Sequence, residues 1–192
     1  AAHHQAGEAE RAFRSALTIQ PACQYSWQGL GATLIEQGKY AEAVAACRSA
    51  LEADPGMAAA HSTLGLALMK LGRTNDAIAH YAEALRLQPD LADAHYNLAN
   101  AQAGQGQLPA AREHFEASLR SDPGSADAHN NLGYLLSREG QWDRAESEFR
   151  SALALRPDLW QAHYGLAAAL VRLGQVPEAI AHYRATLVAQ PE

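Results

Sequence analysis

The chain has 192 residues, enough for one or two compact domains, and 21 acidic against 15 basic side chains give a net charge of −6. That balance argues against a nucleic-acid binder, because the Arg residues are scattered among Glu and Asp instead of forming a basic stripe. No apolar stretch approaches the roughly 18 residues needed to cross a bilayer, so no membrane insertion is expected. The start, AAHHQAGEAER, lacks an apolar signal region, which points to the cytoplasm. Abundant Ala, Gly and Arg with scarce Lys suggests a GC-rich bacterial coding sequence. Cys23 and Cys47 form neither a CxxC pair nor a disulfide framework.

In chain order, residues 1–23 fit the back part of a helical unit, with a helix near 7–20. From Gln24 onward a 34-residue period takes over. Pro21, Pro55, Pro89, Pro123, Pro157 and Pro191 keep that spacing, and so do Gly38, Gly72, Gly106, Gly140 and Gly174. Gly just past a helix fits a left-handed C-terminal cap, and Pro just past a helix stops it. Each unit is therefore helix–turn–helix, with repeats 24–57, 58–91, 92–125, 126–159 and 160–192. Small residues recur where helices must touch, as at Gly31, Gly65, Ala99, Gly133 and Ala167 and again at Ala43, Ala77, Ala111, Ala145 and Ala179. Between them stand large apolar residues such as Leu132, Phe115, Phe149 and Tyr81, with Cys47 at the same place as these aromatics and expected to be buried.

The unit resembles the tetratricopeptide repeat (TPR), whose first helix carries Trp, Leu, Gly and Tyr and whose second carries Ala, Phe and Ala before Pro. The fourth repeat supplies His129, Leu132, Gly133, Leu136, Ala145, Phe149, Ala152 and Pro157. Departures are His for Trp in four of the five repeats, Gln102 at an apolar position and Cys47 at an aromatic one. The resemblance implies an all-α, right-handed superhelical solenoid of antiparallel helix pairs, one domain over 1–192. First helices would line its concave face. The chain starts within a first helix and stops just after a repeat, so we expect it to be part of a longer protein. Bare apolar ends also make end-to-end stacking into a homo-oligomer an expectation.

Nine histidines raise the question of a metal. His61, His95, His129 and His163 form one stripe and His80, His114 and His182 a second. Equivalent side chains on helices about 8–10 Å apart cannot share one ion with bonds near 2 Å. Packing at the Trp position is the expectation, and His3 and His4 carry no information. No nucleophile–base spacing, phosphate loop or metal motif stands out, so neither a cofactor nor catalysis is expected.

The groove remains. The resemblance implies that ligands meet the second, fifth, sixth, ninth, twelfth and thirteenth positions of first helices. These include Leu66, Met69 and Lys70 in one repeat and Tyr96, Asn97 and Asn100 in the next. Further along come Asn130, Asn131, Tyr134, Arg138 and Tyr164. Asn can pair with a peptide backbone in either sense and Tyr adds rigid contact area, so Tyr96, Asn97, Asn100, Asn130, Asn131, Tyr134, Arg138 and Tyr164 are the candidate peptide contacts. Asn130 and Tyr134 are expected to be exposed. The Lys/Asn/Arg clamp that chaperone adaptors place on a C-terminal carboxylate is absent, since the second, fifth, sixth and ninth positions carry no basic residue. The expected function is a non-catalytic scaffold for a protein or peptide partner. The alternatives are a self-assembling solenoid or the recruiting arm of a larger enzyme such as a glycosyltransferase.

Overall fold

The computed structural model describes residues 2–189, with side chains over 5–187. Pro191 and the side chains of His3 and His4 lie outside that description. Among the described residues every regular element is a helix. The first is α1 (Ala2–Ile19), which starts earlier than expected because AHHQA offers no breaker. Then come α2 (Gln24–Glu36), α3 (Tyr40–Ala53), α4 (Ala58–Lys70), α5 (Thr74–Leu87) and α6 (Ala92–Gly104). They are followed by α7 (Leu108–Ser121), α8 (Ala126–Arg138), α9 (Trp142–Leu155), α10 (Trp160–Arg172) and α11 (Val176–Ala189).

Two local devices set these boundaries. Each first helix ends in a glycine of positive φ, as at Gly72 (76°) and Gly140 (77°). The next residue's N–H then reaches back to a carbonyl five residues earlier, Arg73 to Leu68 and Gln141 to Leu136, each at 2.9 Å. This is the Schellman arrangement, which an L residue at the turn would strain. Each second helix ends where a proline follows. The residue before it is forced out of the helical region, as Asp54 (φ −144°, ψ 94°) and Arg156 (φ −138°, ψ 91°) illustrate.

The chain divides into two compact units, Ala1–Ala101 and Gln102–Glu192, with the division inside α6. In the first, α1 to α5 pack consecutively, and α2 also touches α4. Their core joins Leu17, Leu30, Leu34, Cys47, Leu64, Leu68, Tyr81 and Leu98. In the second, α7 to α11 pack consecutively and α8 touches α10, around buried Phe115, Leu132, Leu136, Phe149, Leu166 and Leu170. Close approach rests on the glycines. Gly133 of α8 and Gly165 of α10 both face the Phe149 ring, and a methyl on either would overlap it.

Successive second helices are also keyed by ion pairs 28 residues apart. Arg14 meets Glu42 at 3.1 Å, Arg144 meets Glu116 at 2.9 Å and Arg150 meets Glu178 at 2.8 Å. Their partners are half-exposed, so each contributes at most about 1 kcal/mol; what they add is register.

Candidate functional site

The histidine stripes resolve first. Trp27 Nε1 donates to the Pro21 carbonyl at 2.7 Å. The four histidines at the same place in later repeats do the same with Nε2. His61 reaches Pro55 (3.3 Å), His95 Pro89 (2.9 Å), His129 Pro123 (3.2 Å) and His163 Pro157 (3.0 Å). The ring N–H of His thus replaces the indole N–H, and the proline carbonyl that ends one repeat is satisfied by the first helix of the next. The two stripes are not independent of each other. His61 Nδ1 lies 3.1 Å from His80 Nδ1, His163 Nδ1 lies 2.9 Å from His182 Nδ1, and His129 Nδ1 lies 2.6 Å from a Glu148 carboxylate oxygen. With Nε2 of His61 and His163 donating to proline, Nδ1 of the neutral ring is the acceptor, and His80 and His182 donate to it. Burial holds His80 and His182 below the usual histidine range, and the neighbouring histidine pushes the same way. No group of three or more His, Cys, Asp or Glu able to hold a metal occurs among the described residues.

In the first unit the candidate groove positions converge. Leu66, Met69 and Lys70 lie on one face of α4, at i, i+3 and i+4. With Tyr96, Asn97 and Asn100 of α6 they line a cavity of about 340 Å³ whose remaining wall is Tyr81 of α5. Asn100 Nδ2 donates to the Tyr96 carbonyl at 3.0 Å, so one of its groups is engaged in its own helix. Upstream, Gln28 of α2 donates to Thr63 of α4 at 3.1 Å, joining equivalent faces of two repeats.

Tyr81 was not among the candidate contacts. It is fully buried, and its hydroxyl has no hydrogen-bond partner. Burial raises its pKa. The equivalent residues in other repeats are Cys47, Phe115, Phe149 and Tyr183. Tyr where a neighbouring repeat is content with Phe is the signal that could have found it.

In the second unit the candidates are arranged differently from expectation. Asn130 is buried, at 7 % exposure, with Nδ2 donating to Asn131 Oδ1 at 3.2 Å and its own Oδ1 unpartnered. Tyr134 is half-buried. Its hydroxyl donates to the Gln161 carbonyl at 3.1 Å and its ring stands edge-on to Phe149 at 5.3 Å. Both were expected to be exposed; the turn of α8 that carries them faces α9 and α10. Arg138 is exposed at the end of α8, and Tyr164 is 49 % exposed on α10, edge-on to Tyr183 at 5.7 Å.

Several solved structures share this fold. YrrB, described as a TPR protein with an unusual peptide-binding site, superposes with a TM-score of 0.75 at 20% identity over 94% of this chain and 93% of its own. MamA gives 0.73 at 23% identity, over 86% of this chain and 91% of its own. Cut9, in a complex with Hcn1, gives 0.86 at 20% identity over 98% of this chain, which spans only 38% of it. No curated protein sequence matches the chain. Models of the tetratricopeptide repeat match residues 62–126 and 130–192, and a second set matches 1–65, 34–79 and 103–150. The helical repeats, their proline and glycine punctuation and these matches together make the chain a member of the tetratricopeptide repeat family, a fold of protein-interaction scaffolds.

Proposed function

We propose that the protein is a non-catalytic scaffold that binds an extended or helical segment of a partner protein along the exposed face of its first helices. The observation that carries this reading is the convergence of Leu66, Met69, Lys70, Tyr96, Asn97 and Asn100 on one cavity. Apolar walls with a few polar groups are what a peptide side chain needs. The peptide-binding site for which YrrB is described supports the reading by likeness of fold. The test is selection of a displayed random-peptide library on the whole chain, followed by mapping of the selected peptides by amide chemical shifts. Shifts on α4 and α6 are expected. Shifts confined to second helices, or no selected binder, would remove the proposal.

A second reading is self-association, favoured by the exposure of Val176 (48 %), Ile180 (46 %) and Leu187 (71 %) along α11. A mass that rises with concentration in sedimentation, and falls back on Ile180→Glu/Leu187→Glu, would carry it. A constant monomer mass would dismiss it.

A further inference from the structure

Three features meet at the first-unit cavity that no packing role explains together. Lys39 and Lys70 are the only lysines of the chain. Lys39 is held by Glu10 at 3.0 Å, whereas Lys70 lines the cavity and has no acidic partner among the described residues. Tyr81 also lines it and carries a buried hydroxyl with no partner, although Phe fills the same place at Phe115 and Phe149. A buried orphan donor is disfavoured unless something satisfies it. Finally, no acidic side chain lines the cavity, while Leu66, Met69 and the Tyr96 ring give it apolar walls and Asn97 an amide.

We propose that this cavity takes the carboxylate of an acidic side chain of the bound peptide, with the Lys70 ammonium and the Tyr81 hydroxyl as its donors. This deepens the groove reading and rests on it. One cation matches one negative charge, and the apolar walls suit the methylene stem of glutamate. An anion with a second charge would lie there without a counter-charge, and a neutral amide would gain nothing from Lys70. The arrangement differs from a clamp on a chain terminus, because its cation stands in the last turn of one first helix and its hydroxyl comes from a second helix.

The probe is N-acetyl-glutamate N-methylamide, titrated into the isotope-labelled whole chain, with the glutamine analogue as the neutral isostere. Saturable shifts at Lys70, Tyr96 and Asn97 are expected with the glutamate compound, and affinity about tenfold weaker with the glutamine compound, the scale of one hydrogen bond to a charged group. Tyr81→Phe and Lys70→Gln should each weaken the glutamate compound by about the same factor. Tyr81→Phe should fold at least as well as the parent, since it removes only the orphan hydroxyl. Equal affinity for the two compounds, the absence of saturable shifts, or indifference to Tyr81→Phe would each overturn the proposal. If library-selected peptides without acidic residues still shift α4 and α6 in that case, the groove reading stands and only the carboxylate assignment falls.

Discussion

Gly165→Ala puts the packing of successive repeats to a quantitative test. Gly165 lies on α10, and its missing side chain leaves room for the Phe149 ring of α9. A methyl there would overlap Cε1 and Cζ of that ring and stand 3.0 Å from Cδ1. The ring cannot step aside. On its other flank Gly133 is so close that a Cβ would lie 2.8 Å from Cε1, and the Tyr134 ring stands edge-on at 5.3 Å. In a helix interior Ala is favoured over Gly by about 1 kcal/mol. Overpacking a confined core costs about 1–3 kcal/mol, and confinement on both flanks puts this site at the upper end. The expected net loss is about 2 kcal/mol. It should appear as a lower urea midpoint, followed by far-ultraviolet circular dichroism. The stronger check is a cycle with Phe149→Leu, which shortens the obstructing side chain. The two changes should be less costly together than their sum, by at least about 1 kcal/mol, because they share one contact. An unchanged or raised midpoint for Gly165→Ala, or strict additivity with Phe149→Leu, would refute the view that this glycine sets the approach of α10 to α9.

Three further outcomes follow from the same geometry. His80 and His182 are held below the usual histidine value of about 6.5, so the folded chain binds fewer protons there than the unfolded one. Their contribution is complete above that pH and is lost as pH falls from there through the lower folded-state values; the melting temperature should be lower at pH 5.5 than at 7.5, and His80→Gln/His182→Gln should narrow the gap, whereas a flat profile in the parent would contradict the buried pairs. Cys47 is fully buried, with its thiol pushed up to about 12, while the Ser26 hydroxyl donates to the Cys23 sulfur at 3.2 Å and draws its pKa down; a chromogenic disulfide reagent at pH 8 should titrate one thiol rapidly and the second only on unfolding, and two equal rates would contradict this. His129→Ala removes the bonds to Pro123 and Glu148 and should lower stability by about 1–3 kcal/mol in urea titration, whereas a change within error would mean that neither bond persists in solution.

How much of this was legible in the sequence depends on whether a position answers to its own backbone or to a neighbour. The prolines and the glycines at 38, 72, 106, 140 and 174 answer to local dihedral needs, so their period exposed the helix pairs directly. The burial of Cys47 and the placing of His at the Trp position followed from comparing repeats, but the bond from that His to the proline carbonyl did not. The pairing of His61 with His80 and of His163 with His182 did not, because a 34-residue period relates like positions and is silent about what the two helices of one pair place side by side. Asn130 shows the same limit. A helix position inferred to face the groove turned out to be rotated toward the core, and its Oδ1 is left without a partner. Gln102, an anomaly at an apolar position, likewise has a buried unpartnered Oε1.

A repeat protein carries its own alignment, and that is what gives Tyr81 its weight. The fold accepts Cys47, Phe115 and Phe149 at this position, so folding alone does not call for the hydroxyl at 81. The hydroxyl lies buried and unpartnered, and Tyr81 lines the same cavity as the one lysine that lacks an acidic partner among the described residues. Periodicity in this chain accounts for the scaffold, and the proposed carboxylate site draws on two side chains, Lys70 and Tyr81, whose polar groups packing does not use.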